Sequence, residues 1–382
     1  MGCSVVLDVG KTSAKLCAVD AAGDLLVELR RANSTLAAPP YPHLDADGIF
    51  DWAIEGLARI AADHEIDAIV PVAHGATAAL LAGDALALPV LDYEFEGVGE
   101  FDRAYEPLAR DFAHTRSPRL PAGLNLGRQL FWLERRFPAE FARVTDILLW
   151  PQYWAWRLSG AKWSEITSLG CHTDLWQPEA RAFSSLARER GWAARFPPLV
   201  PAWQRKGRVL AGIHDSNASY LIHRAGREQE FVVVSTGTWF VCMAHGAPLE
   251  RLRPELDMLA NVDVHGDPVA TARFMGGREY ESMLATDRAA QAPQQLALRT
   301  AECLHRLGAL GDVIIEGPFA RNAAYCAELA ALRAPQSVFA SADAVGTLAG
   351  AQLLASWPNK GPGPRLTRYL TCEKTPDEKL AK

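Results

Sequence analysis

The sequence predicts a two-domain α/β protein, and three observations carry that prediction. The chain has 382 residues, 49% of them apolar, which is enough for more than one buried core. Short strand patterns open the chain and alternating helix and strand patterns follow, the order of a mixed α/β domain. About half a chain later a second strand–turn–strand unit of similar texture begins.

The opening run Val5–Asp8 is β-branched and apolar and is followed by Gly10. Leu16–Val19 is a second such run, Ala21–Asp24 reads as a turn, and Leu25–Leu29 is a third run, together a β-meander. Between Ile49 and Asp63 apolar residues recur at helical spacing (Ile49, Phe50, Ala53, Ile54, Leu57, Ile60, Ala61), which predicts an amphipathic helix. Ile66–Ala73 reads as a buried strand, Leu126–Arg136 and Tyr153–Leu158 as helices, and Val209–His214 as a short extended segment. Phe231–Thr236 and Thr238–Ala244 are β runs on either side of Gly237. Aligning Gly10 on Gly237 lays VVLDVGKT over VVVSTGTW, a faint internal repeat. Val313–Glu316 follows as a strand, Asn322–Leu332 as a helix and Ala344–Ser356 as a helix rich in small residues. From Pro358 onward Pro, Gly and Lys dominate. The expected division is therefore 1–226, 227–357 and a flexible tail 358–382.

A net charge of −6 argues against nucleic acid or acidic membranes as partners. It leaves room for anions held by backbone N–H groups. The seven cysteines (Cys3, Cys17, Cys171, Cys242, Cys303, Cys326, Cys372) are scattered and contain no C-x-x-C pair. Reduced thiols in a cytoplasmic protein are expected. The N-terminus shows no secretory pattern, and Val6 stands where an N-myristoylation signal needs Ser or Thr. No uninterrupted apolar stretch reaches the length of a membrane span.

Three segments carry chemistry. In Asp8-Val9-Gly10-Lys11-Thr12-Ser13-Ala14-Lys15, a hairpin-tip glycine lets backbone N–H groups approach an anion. Thr12 and Ser13 add hydroxyls, Lys15 lies on the returning strand, and Asp8 suits a water-coordinated Mg²⁺. Gly10-Lys11-Thr12 mimics the end of a P-loop, but Val5 occupies the position where that motif needs its first glycine. Ser235-Thr236-Gly237-Thr238-Trp239 repeats the design without the acid. In Gly212-Ile213-His214-Asp215-Ser216, a carboxylate stands between the two halves. It suits a general base for an attacking hydroxyl, with a cap for a helix through Ala218–His223 as the plainer alternative. His214 is a secondary candidate for the base. Each hairpin alone also reads as an ordinary polar turn; the pair is the more specific signal.

With these three in place the chain resembles the FGGY carbohydrate kinases of the actin-like (ribonuclease H-like) ATPase superfamily. Asp8–Lys15 is similar to that family's first phosphate loop, Ser235–Trp239 to its second, and Ile213–Ser216 to the segment with its catalytic aspartate. Glu316-Gly317-Pro318-Phe319-Ala320-Arg321-Asn322 sits where the family has its adenosine loop. Val345-Gly346-Thr347-Leu348-Ala349-Gly350-Ala351 resembles its late Gly/Ala helix. Within the family the rhamnulokinases are most similar, through Leu124–Leu130, Leu148–Tyr153, Arg157–Gly160, Ser164–Thr167, His214–Ser216 and Gly237–Trp239. The departures are Glu316 and Pro318 where glycines are usual, Gln152 in place of the usual Asp, and a chain shorter than typical relatives.

The resemblance implies a nucleotide cleft between the domains and ATP-dependent phosphorylation of a primary hydroxyl of a small ketose, with L-rhamnulose or L-fuculose the first candidates. Asp215 would be the base and Asp8 would hold Mg²⁺ through water. Gly10, Lys11, Thr12, Ser13, Lys15, Thr236, Gly237, Thr238, Gly317, Asn322 and Gly346 would bind the nucleotide. His74, Gly75 and Asp92, with Asp215, would meet the sugar. A sensing protein with weak catalysis on the same fold is the alternative. A homodimer is compatible with the sequence and is not specified by it.

Overall fold

Apolar and β-branched residues at the start of the chain form β1 (Gly2–Val9), β2 (Ser13–Val19) and β3 (Leu25–Ala32), an antiparallel meander. The computed structural model describes residues 2–109, 111–287, 289–341, 346–358 and 364–369. Next comes α1 (Ala46–Asp63), where the Asp45 side chain accepts the Gly48 N–H and so satisfies one of the helix's unpaired donors. Most of the predicted apolar stripe is the face that packs, but Ile54 and Ala61, expected on it, are exposed. Ile49, Ala53, Leu57 and Ile60 join Val5, Leu7 and Leu16 in one core, each large side chain contributing roughly 1.5–3 kcal/mol. β4 (Glu65–Ala73) then returns parallel to β1.

Helices α2 (Leu126–Arg136), α3 (Trp150–Ser159) and the short α4 (Ile166–Leu169) follow. The extended segment expected over Val209–His214 is two strands, β6 (Val209–Leu210) and β7 (Ile213–His214), after the edge strand β5 (Arg205–Lys206). Both β6 and β7 pair with β4, and Gly212 makes the step between them. Its φ is +85°, and a Cβ there would lie 2.4 Å from the Pro71 carbonyl oxygen, so only glycine fits. The sheet order is β5–β6–β4–β1–β2–β3, with β7 also on β4. α5 (Asp215–Arg224) starts directly after β7.

The second region repeats the plan. β8 (Phe231–Ser235) pairs antiparallel with β9 (Phe240–His245) and parallel with β11 (Asp312–Glu316), as β1 does with β2 and β4. β10 (Pro268–Phe274), α6 (Gly276–Leu284) and α7 (Ala292–Leu307) lie between β9 and β11 in the chain. After β11 come α8 (Ala323–Arg333), β12 (Val338–Ser341), α9 (Gly346–Ala355) and β13 (Leu366–Tyr369). Six strands of this sheet run in the order β10–β9–β8–β11–β12–β13. The faint repeat in the sequence thus corresponds to a repeated strand plan.

The chain forms two compact units. One is 1–227, 252–269 and 345–363; the other is 228–251, 270–344 and 364–382. Expected as one stretch, 227–357 is instead divided between them, and α9 belongs to the first unit. There Ala351, Leu353 and Leu354 pack with Val6, Val70, Val72, Ala218 and Leu221. Gly350 permits that approach, since a Cβ on it would meet the Ala218 carbonyl oxygen at 1.7 Å. The expected tail 358–382 also needs correction, because β13 pairs antiparallel with β12. Residues 359–363 and 370–382, and Ala344 and Val345 of the predicted last helix, lie outside the described residues. Among the described residues no helix is long and apolar enough to cross a membrane.

Candidate active site

The first unit brings its polar candidates together around the β1–β2 turn. Asp8 and Lys15 are direct cross-strand partners, with Lys15 Nζ 3.7 Å from Asp8 Oδ2. Lys15 therefore turns towards the carboxylate. The turn itself is tied by Gly10 N–H to Ser13 O at 2.9 Å. Asn33 braces it from β3's end: its side chain donates to Gly10 O and its backbone N–H to Thr12 O, both at 2.9 Å. Thr12 is exposed at the tip.

Asp215 is close enough to Asp8 for the two carboxylates to repel. Burial, then the Asp215 charge, raise the Asp8 carboxyl to about 6 against the opposing pull of Lys15. Asp215 is the first residue of α5, and His214 occupies the N-cap position without a side-chain cap. Asp215 is thus not at the N-cap position, although from the first turn its side chain does satisfy one of the helix's unpaired N–H donors, as the capping alternative expected. Asp215 Oδ1 accepts from Ser216 N–H at 2.6 Å and from Ser216 Oγ at 3.2 Å, and His214 Nε2 is 3.1 Å away. The Asp215 side chain retains 35% of its exposure, so a ligand can reach it.

His74 is buried beside this pair, its ring 5.1 Å from the Tyr93 ring and Nδ1 2.9 Å from Gly75 O. Burial pushes its pKa down, and the Gly75 carbonyl and the Asp215 charge only partly oppose that. Gly75 leaves little room: a Cβ would come 3.0 Å from His214 Nε2 and 3.2 Å from Cys171 Sγ, so a side chain there would press on both. Lys11, expected at the nucleotide, is paired with Asp92, with Glu94 Oε2 3.4 Å away and the Tyr93 ring 5.1 Å below. Burial disfavours the Asp92 charge. Hydrogen bonds from Lys11, Thr35 and Glu94 N–H outweigh it and hold the carboxyl below the ordinary value. Gln152, where an Asp is usual, is fully buried and donates to Ala211 O and Gly212 O, so it supports the β6–β7 step. Gly346 opens α9 in this unit.

In the second unit the turn 236–239 delays β9 to Phe240, two residues later than expected. Thr236 is buried and its hydroxyl is already engaged. It donates to Glu316 O and accepts from Phe319 N–H at 3.1 Å. The Thr236 N–H also donates to Glu316 O at 3.0 Å, so neither group of Thr236 is open to the phosphate expected there, and the residue instead braces the following loop. Gly237 is half-buried and Thr238 exposed, so these remain available. Gly317 has φ +81°, and a Cβ on it would strike Thr236 O at 2.2 Å. Asn322 caps α8 through Tyr325 N–H at 3.0 Å and donates to Tyr280 Oη at 3.2 Å. Phe319 packs edge-on against Phe240 and Tyr280, both at 5.0 Å.

Several residues escaped the sequence reading. Asn33, Thr35, Tyr93 and Asn217 are polar side chains without a motif. Gly276-Gly277 had a signal, a doubled glycine after a strand. A Cβ on Gly277 would lie 2.2 Å from Gly237 O, so α6 begins hard against the second turn.

A model of the FGGY carbohydrate kinase C-terminal domain matches residues 228–296 and 285–363. The crystal structure of a carbohydrate kinase from Novosphingobium aromaticivorans is 35% identical, with 97% of this chain and 94% of that chain covered and a TM-score of 0.89. A ligand-bound xylulose kinase from Lactobacillus acidophilus shares 11% identity over 97% and 94% of the two chains, with a TM-score of 0.78. A Plasmodium falciparum glycerol kinase with ADP shares 11% over 93% and 89%, with a TM-score of 0.73. The last two speak to the fold alone. No curated protein matches the chain.

Proposed function

This chain belongs to the FGGY family of carbohydrate kinases, with that family's two-domain, actin-like fold, and on that premise we propose that it phosphorylates a primary hydroxyl of a small ketose with Asp215 as general base. The observation that carries the reading is the solvent-reachable Asp215 carboxylate, near enough to Asp8, on the strand that leads into the first hairpin turn, for its charge to raise the Asp8 pKa. A half-exposed carboxylate with one oxygen held by donors can take a proton from a hydroxyl as it attacks phosphorus. Gly10, Thr12 and Ser13 would offer N–H and hydroxyl groups to phosphate oxygens, and Lys15 would balance charge beside Asp8. In the second unit Gly237 and Thr238 would meet the nucleotide, with Gly317 and Asn322 shaping its loop.

ATP is the family's phosphoryl donor. Asp8, a hard carboxylate oxygen donor at the end of β1 that feels the Asp215 charge, suits a water-held magnesium ion, although among the described residues no cluster of three or more acidic, His or Cys side chains surrounds it. Asp8 would hold that ion through water, and the ion would supply charge neutralisation for the phosphates. His74 and Tyr93 would flank the sugar, and the Lys11–Asp92 pair would present an oriented charge to its hydroxyls. L-rhamnulose is the first sugar to test, on the similarity of His214–Ser216 and Gly237–Trp239 to rhamnulokinase segments. L-fuculose, L-xylulose and L-ribulose follow. A reducing cytoplasm is the proposed compartment; none of the six described cysteines is in a disulfide.

The test is a coupled ADP-release assay with MgATP over about twenty ketoses and polyols, the turnover expected being of the order of 1–100 per second for one of them. Turnover that no sugar stimulates would overturn the reading and favour the sensing alternative.

A further inference from the structure

We propose that Asp92 and Lys11 together decide the class of sugar this site accepts, admitting an uncharged ketose or polyol and turning away a sugar acid. This rests on the reading of His74, Tyr93 and Asp215 as the sugar's surroundings, and it adds the charge the sugar must have. An ammonium carries three N–H groups and no acceptor. One N–H of Lys11 goes to Asp92 Oδ1 and another to Thr35 Oγ1 at 3.2 Å. Glu94 Oε2, 3.4 Å from Nζ, is the partner of the third. The Tyr93 ring, its centroid 5.1 Å away, covers the ammonium from another side. The Lys11 and Asp92 side chains keep only 16% and 6% of their exposure, so water competes little for these bonds.

Asp92 is less fully engaged. Its Oδ1 accepts from Lys11 Nζ and from Glu94 N–H at 2.9 Å, and its Oδ2 accepts from the Thr35 hydroxyl. A carboxylate has about four lone-pair positions, which leaves one on Oδ2. The pair therefore offers a bound sugar an acceptor for a hydroxyl and no N–H for a carboxylate. Lys11, Asp92 and Glu94 also sum to a negative charge, and Asp215 adds to it, since its charge reaches both Tyr93 and His74. An anionic sugar would enter against that field.

The backbone holds this lock shut. Thr35–Leu36 pairs antiparallel with His43–Leu44, and His43 bridges to Leu91. Asp92 N–H donates to Pro42 O at 3.2 Å. Thr35 and Asp92 are thus carried on segments bonded to the same short stretch, and Lys11 reaches them from the β1–β2 turn. Removing the Asp92 charge leaves the ammonium with Glu94 as its ion-pair partner, and the Glu94 side chain keeps 65% of its exposure. The released charge is then open to a ligand carboxylate.

The experiment uses the full chain with MgATP and the ketose of the panel turned over fastest. D-Gluconate and D-glucitol are compared as competitors of that ketose; they share a carbon skeleton and differ by a carboxylate against a CH₂OH group. Wild type is expected to bind glucitol at least about tenfold more tightly than gluconate. Asp92→Asn is expected to bind gluconate at least about tenfold more tightly than wild type does, and the double variant Asp92→Asn, Lys11→Met to lose that gain. KM for ATP should stay within about twofold in Lys11→Met, the readout that separates a sugar-side lysine from a phosphate-binding one. A wild type inhibited more strongly by gluconate than by glucitol would overturn the inference. So would an Asp92→Asn variant no more sensitive to gluconate than wild type, a gain that survives the loss of Lys11, or a KM for ATP raised more than the KM for ketose in Lys11→Met. If Asp92→Asn fails to fold, Glu94→Gln decides: this exposed change is expected to tighten gluconate about threefold, and no tightening overturns the inference. If no sugar of the panel is turned over, the kinase reading fails first and this inference goes with it.

Discussion

The β1–β2 hairpin and the β8–β9 hairpin share a backbone plan and differ in almost everything their side chains do. The first carries Asp8 and Lys15 face to face across the ladder, and the Lys11–Asp92 pair leaves from its tip. The second carries no ionisable residue between Ser235 and Trp239. Its one buried hydroxyl, on Thr236, is committed to the Glu316–Phe319 loop. A glycine-bent ribbon is thus a neutral scaffold for approaching an anion. What is mounted on it decides whether it serves bond-making or only the shape of a binding loop. On this reading, changes beside the first hairpin should act on kcat and changes in the second on nucleotide affinity.

The largest break in that division should come from Asp215→Asn, which is expected to lower kcat at least about a hundredfold while KM for ATP stays within about twofold; steady-state kinetics reads both. A larger effect on KM than on kcat would erase the distinction. Asp8→Asn comes next, with lower kcat and a weaker dependence on magnesium in a titration of the metal. It has a second readout in metal-free protein. The folded carboxyl holds its proton more tightly than the unfolded one, with a pKa of about 6 against 3.8. Wild-type stability should therefore fall as pH rises from about 4 to about 6, and the Asn variant should lack that slope in thermal melts.

Thr236→Val tests the second hairpin. It strips the hydroxyl from between Glu316 O and Phe319 N–H, at a cost of about 1–3 kcal/mol in stability. KM for ATP should rise with little change in kcat at saturation. The smallest effect belongs to Thr238→Ala, a surface hydroxyl, with a melting temperature unchanged and a KM for ATP raised a few-fold. If Thr238→Ala lowered kcat as strongly as Asp8→Asn, the two hairpins would not be doing different work.

Both ribbons were legible because glycine between β runs is a local signal, and the alignment of Gly10 on Gly237 reported a real repetition of strand order. Asp215 stood out in the sequence as a carboxylate that could serve as a base, but nothing local separated that reading from a helix cap, and only the resemblance ranked one above the other. What escaped was long-range. Lys11 and Asp92 are 81 positions apart, and no spacing rule links them. The direction of the Thr236 side chain follows from a strand that arrives 80 residues later. Helix α9 was found as a helix but placed in the wrong half, because its small residues fit any close neighbour and the neighbour is α5.

That last placement reaches beyond packing. Because the polypeptide leaves the first unit at 227 and comes back for 252–269 and for α9, no single cut yields two whole pieces. An N-terminal fragment ending at 227 would expose Val6, Val70, Ala218 and Leu221 to water, its missing cover being carried on the other fragment. The two halves are better suited to a split reporter, silent apart and active only when co-expressed, than to separate expression as independent modules.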